Sequence, residues 1–136
     1  MPARVIRIIL IFALIEVGIV GFGGRWAAER LAFEYTTLLP VAYLVYALSG
    51  YFAARSSSMW YGALAGAAVA GIDAFVWAVL GAPGLDPQTS AQAPAGTFEV
   101  IVVVTGLIVA LSGAISGLLG GFAARWRRRP SARPLT

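Results

Sequence analysis

At 136 residues with 60% hydrophobic and 12% charged residues, the chain is too apolar for a soluble domain, where about 45–50% apolar is usual. With no cysteine and no histidine, it excludes disulfides, thiolate nucleophiles, the commonest zinc sites and histidine-ligated haem. It also excludes any Ser-His or Cys-His catalytic pair. The net charge is +4 and all ten basic residues are arginine, a usage that points to GC-rich coding and a bacterial source.

A helix needs roughly 20 apolar residues to cross a hydrocarbon core of about 30 Å. Segments 5–24, 36–54, 59–81 and 98–124 meet that length and use up most of the chain. The expected fold class is therefore all-α: one polytopic domain over residues 1–136, a four-helix transmembrane bundle.

In chain order, segment 5–24 follows Arg4 and Arg7 and carries Glu16. Glu16 interrupts the apolar run and no A-x-A site follows Gly24, so this segment reads as a retained helix and not a cleaved signal. Arg25 with Glu29 and Arg30 with Glu34 are i,i+4 pairs, which extend a helix past the bilayer. Segment 36–54 and segment 59–81 are joined by only four residues and form a tight hairpin. Segment 59–81 carries Asp73. The stretch 82–97 holds Pro83, Pro87, Pro94, Gly84 and Gly96 and should be irregular. After segment 98–124 comes a basic tail, 125–136, with Arg125, Arg127, Arg128, Arg129 and Arg133.

Four spans put eight arginines on one side and leave Arg25 and Arg30 with four acids on the other. Cytoplasmic loops collect arginine and lysine, so both termini are expected in the cytoplasm, in a bacterial inner membrane. Trp26, Tyr35, Trp77 and Phe98 fall near the outer face, and Tyr51, Trp60, Tyr61 and Trp126 near the inner one, where amphipathic rings anchor a helix at headgroup level.

Two hairpins share a plan. Leu48-Ser-Gly50-Tyr-Phe52-Ala-Ala-Arg55 matches Leu118-Leu-Gly120-Gly-Phe122-Ala-Ala-Arg125 at six of eight positions, a spacing of 70 residues. The acid-bearing segments align at a spacing of 57, with Glu16 opposite Asp73. Thirteen extra residues in the second outer loop account for the difference, as in a parallel duplication about an axis along the membrane normal.

Helices in lipid associate through close contact between small residues. Gly62 and Gly66 on the third segment, and Gly106, Gly113, Gly117 and Gly121 on the fourth, mark such a packing face. At about 100° per residue, Asp73 shares the face of Gly62 and Gly66. It should point inward, with Thr105, Ser112 and Ser116 as possible hydrogen-bond partners. A buried carboxyl costs roughly 2.5–3.5 kcal/mol on insertion scales, so Glu16 and Asp73 are candidates for a proton or cation site. If the two meet, one should keep its proton.

Gly50-Tyr-Phe-Ala-Ala-Arg55 followed by Trp60-Tyr-Gly62-Ala-Leu-Ala-Gly66 resembles a group of small, glycine-rich, four-helix bacterial membrane proteins. That resemblance implies a fold and no activity. The small multidrug resistance transporters offer a second likeness, four helices with a glutamate midway along the first, where Glu16 stands. The strong charge bias and basic tail depart from their pattern. Acids and glycine stripes on paired hairpins suggest a proteolipid-like rotor, except that here the acids lie on the first helix of each hairpin.

Two functions follow as expectations. One is a protein that works by helix packing, as a homo-oligomer or an accessory subunit of a membrane assembly. The other is a proton- or cation-coupled transporter or channel using Glu16 and Asp73. No enzyme is expected, since no nucleophile-base pair, metal cluster or phosphate loop is visible. The expected partners are the bilayer and other membrane subunits, with no cofactor and no nucleic acid.

Overall fold

A computed structural model describes residues 1–80 and 97–127. Among them the chain is all helix, a four-helix bundle whose helices are long and apolar enough to cross a membrane. Helix α1 (Ala3–Leu31) is α-helical to Ile15, π-helical over Glu16–Gly23, and α-helical again over Gly24–Leu31. It runs past Gly24 into the charge-paired turns, where Arg25 Nε donates to Glu29 Oε1 at 3.2 Å. It ends at Ala32, whose φ of 53° turns the chain left-handed, with the Phe33 N–H closing on the Ala28 carbonyl at 3.3 Å. This is a common helix stop, made here without the usual glycine.

A 3-10 turn (Tyr35–Leu38) leads into helix α2 (Leu39–Ser56). Pro40 sits in its first turn, where a missing N–H has no partner to lose. Helices α3 (Met59–Leu80) and α4 (Thr97–Trp126) complete the bundle. The irregular stretch expected before α4, and the tail arginines Arg128, Arg129 and Arg133, lie outside the described residues.

The tightest packing is a crossing of α2, α3 and α4, with α3 on α4 the most extensive contact, and α1 adds Val5, Ile9 and Val20 to the buried core. Backbone approach makes the crossing. A Cβ on Gly66 would strike the Gly113 carbonyl, and one on Gly117 the Gly62 carbonyl, so no larger residue fits without separating the helices. Gly121 packs less tightly: a Cβ there would stand 3.2 Å from the Ala54 methyl. Between these glycines Ala65, Val69 and Ala70 are fully buried. On the opposite face of α4, Leu107, Leu111, Ile115 and Leu119 recur every fourth residue and are exposed, as lipid-facing side chains should be.

Gly106 is a correction to the expected packing face. Nothing lies within 4 Å of the point where its Cβ would stand. Helices that cross at Gly113 and Gly117 diverge away from the crossing, and Gly106 is two turns beyond it. The glycine pattern is continuous along the sequence, whereas the contact is local.

The duplicated plan has a counterpart in space. Gly50 meets the Gly117 backbone, and Gly120 meets the Ala47 carbonyl. These two contacts exchange under the 70-residue spacing, so the α2–α4 crossing has two-fold character. The rest of the bundle does not follow it: α3 packs closely on α4, while α1 makes far fewer contacts with α2.

Candidate functional site

Glu16 opens the π-helical segment of α1 and is 2% exposed. Asp73 lies two turns from the end of α3 and is half-buried. The two acids, equivalent under the 57-residue spacing, line one cavity of about 140 Å³. Its other walls are mostly aromatic and aliphatic: Tyr35, Leu38, Leu39, Tyr43 and Tyr46 from the entry to α2, Trp77 from α3, and Val109 with Ser112 from α4. The cavity therefore borders the end of the bundle that carries the α1–α2 connection.

Two donors hold Asp73. Trp77 Nε1 donates to Oδ1 at 3.0 Å, and the Tyr46 hydroxyl donates to Oδ2 at a long 3.4 Å. Tyr46 and Glu16 line the same cavity. One hydroxyl has one proton to donate, and here Tyr46 gives it to Asp73. Glu16 Oε2 is buried and has no hydrogen-bond partner among the described residues.

Local sequence explains this geometry. Asp73 and Trp77 are four apart on one helix, so the indole folds back onto the carboxyl. Gly21 lets the ring approach α1: a Cβ there would stand 3.0 Å from Trp77 Cζ2. Phe22 and Tyr35 flank the indole with ring centroids 5.7 and 6.3 Å away. Tyr46 is 3% exposed and shares the inward face of α2 with Ala42, Val45, Ser49 and Ala53. The π-helical segment, with three glycines among eight residues, breaks the 3.6-residue rhythm of α1 at Glu16. Single π turns inside α-helices are frequent at functional sites.

Of the hydroxyls expected beside Asp73, the structure brings one to the site. Ser112 lines the cavity, but its proton goes to the Ile108 carbonyl at 2.8 Å. Ser116 donates to the Ser112 carbonyl at 2.9 Å, a turn away. Thr105 is exposed, and the donors on Asp73 are Tyr46 and Trp77 in its place. Thr105 lies on the same face as Ser112 but where α4 has already left its neighbours, so matched depth did not bring contact. Trp77 and Tyr35 read in the sequence as interfacial anchors, and Tyr46 carried no sequence signal beyond its place on the inward face of α2.

Among the described residues no group of three His, Cys, Asp or Glu side chains is placed to hold a metal ion. Comparison with family models, curated proteins and solved structures gives no match. What stands of the resemblance to glycine-rich four-helix proteins is its coarse form, a small all-α protein with four apolar helices of membrane length.

Proposed function

We propose that this is a small multi-pass membrane protein whose bundle holds a site for a small cation, a proton or an organic ammonium ion, shared between Glu16 and Asp73. One observation carries the reading: the unpartnered Glu16 Oε2 is buried beside a second carboxyl, at a cavity that reaches one end of the bundle. A buried polar atom left unpaired costs about 1–3 kcal/mol, and a bound cation or proton removes that cost. The aromatic wall favours an organic cation, since ring faces attract ammonium groups by up to about 2 kcal/mol when water is excluded. A cavity of 140 Å³ is close to the roughly 150 Å³ that accepts benzene. Tetramethylammonium falls within that size and tetraphenylphosphonium does not.

The orientation that goes with this reading has both termini in the cytoplasm of a bacterium, because the arginine-rich ends of the helices share one side. The cavity then faces outward.

Calorimetric titration of the protein in lipid nanodiscs tests the site. Tetramethylammonium should bind, tetraphenylphosphonium should not, and Glu16→Gln with Asp73→Asn should weaken binding by about tenfold or more, equivalent to about 1.4 kcal/mol. Equal binding by wild type and the double variant would remove the proposal.

A second reading, the homo-oligomer or accessory subunit, is favoured by a separate observation. Gly18, Gly71 and Gly106 have nothing within 4 Å of a Cβ position, leaving small-residue surfaces where another helix could approach. Cross-linking in native membranes tests it through the size of the product.

A further inference from the structure

We propose that the 3-10 turn Tyr35–Leu38 is a hinged lid on the carboxyl cavity, closed in this structure and lifted to admit the cation. The role rests on the reading of that cavity as a cation site and adds how access to it is controlled. Tyr35 and Leu38 line the cavity together with Glu16, Asp73 and Trp77, and the turn that carries them stands at the end of the bundle that the cavity reaches.

Two contacts seat the turn, and neither is polar. Leu38 fills the space that Gly24 leaves: a Cβ on Gly24 would strike Leu38 Cδ1 and stand 3.5 Å from the Tyr35 ring. On its other side Tyr35 meets Trp77 edge to face, with ring centroids 6.3 Å apart. Trp77 donates to Asp73 at 3.0 Å, so the turn rests on the residue that holds one acid of the site.

The hydrogen bonds of the turn stay within it and its junction with α2. The Thr37 N–H donates to the Glu34 carbonyl at 2.9 Å, the Thr36 hydroxyl to Glu34 Oε2 at 3.2 Å, and the Leu39 N–H to the Thr36 carbonyl. Among the described residues no hydrogen bond ties Tyr35–Leu38 to α1, α3 or α4. The turn can therefore lift as a unit and lose only apolar and aromatic contacts. Its hinge is Ala32, whose φ of 53° is a strained left-handed conformation for a residue with a Cβ. At the far end Pro40 fixes the first turn of α2, which confines the movement to residues 33–38. Covers of this kind, held by side-chain contacts and swung from a few terminal residues, close sites against water.

A disulfide lock tests the lid, because the chain has no cysteine of its own. In Gly24→Cys/Leu38→Cys the sulfur at 38 takes the place of Leu38 Cγ, 3.9 Å from a Cβ at 24, within reach of a disulfide. The full chain in lipid nanodiscs is treated with a water-soluble carbodiimide and glycinamide, and coupling at Glu16 and Asp73 is mapped by mass spectrometry before and after reduction. Coupling should be at least about tenfold slower in the oxidised form, since the lock removes a minor open state, and should recover on reduction. Tetramethylammonium should bind the reduced protein and not the oxidised one. Equal coupling in the two redox states would overturn the lid. Gated coupling in a protein that does not bind tetramethylammonium would uphold the lid and remove the cation reading. If the cysteine pair does not fold or does not join, Tyr35→Ala decides by taking the ring off Trp77. Coupling should then rise at least about fivefold over wild type, and an unchanged rate would overturn the proposal.

Discussion

At Tyr46 a single phenolic proton stands between two carboxyls, and that shortage defines the chemistry of the site. Asp73 has a shorter hydrogen bond from Trp77 than from Tyr46, so the Tyr46 hydroxyl is the donor in the cavity that can turn to Glu16. Hydrogen bonds between membrane helices are worth about 0.6 kcal/mol on average and up to about 1.7. A double-mutant cycle between Tyr46→Phe and Glu16→Gln, read from unfolding in mixed micelles, should give coupling in that range. Strict additivity would mean that Tyr46 serves Asp73 alone. Trp77→Phe keeps the ring against Gly21 and Phe22 but removes the 3.0 Å donor, and should cost about 1 kcal/mol. The acids themselves were legible in the sequence, because a carboxyl inside an apolar run stands out at once. Their donors were not. Tyrosine and tryptophan near a membrane border read as anchors, and only the approach of α1 at Gly21 turns Trp77 inward.

Among the elements, the four apolar segments could be read from length and composition, and helices occupy them. Their ends moved where local rules competed. The Arg25–Glu29 pair helps carry α1 to Leu31, and Ala32 stops it in a conformation that costs an alanine about 1 kcal/mol. The expected Arg30–Glu34 pair does not form, because Glu34 lies beyond that stop and accepts from Thr36 while Arg30 lies over the Trp26 ring. The π-helical segment was invisible, because apolar periodicity cannot register a wider turn when every neighbour is apolar. The glycine face on α4 was half legible: spacing gives a stripe, but only crossing geometry says where the stripe is used. That difference is measurable. Gly117→Ala inserts a methyl onto the Gly62 carbonyl and should cost about 1–3 kcal/mol. Gly106→Ala meets open space and should be neutral or stabilising by up to about 1 kcal/mol, since alanine favours helix. A cost at Gly106 as large as that at Gly117 would mean that α4 packs along its whole length.

Over the whole molecule, the polar chemistry divides between two poles. Acids and aromatic rings surround a cavity at the α1–α2 connection, and arginines surround a cleft at the opposite end. The α2–α4 crossing between them is the part of the bundle that keeps its two-fold exchange of contacts. The departure of α1 from that symmetry places Glu16 and Asp73 in unlike surroundings. Under the duplication Val20 takes the place of Trp77 and Ser116 that of Tyr46. The proposed orientation puts the arginine pole in the cytoplasm. Reporter fusions at Ser57 and Thr136 should read cytoplasmic and one at Thr89 external; a cytoplasmic signal at Thr89 would remove the four-span topology. The central proposal is that Glu16 and Asp73 hold a proton that a small cation displaces from the carboxyl cavity. Its most direct test is proton release from the protein in lipid nanodiscs, followed with a pH-sensitive dye in weakly buffered solution as tetramethylammonium is added. Wild type should release protons on binding the cation, while Glu16→Gln combined with Asp73→Asn, with neither acid left to titrate, should not. Equal release by wild type and the double variant, or none by wild type, would contradict it.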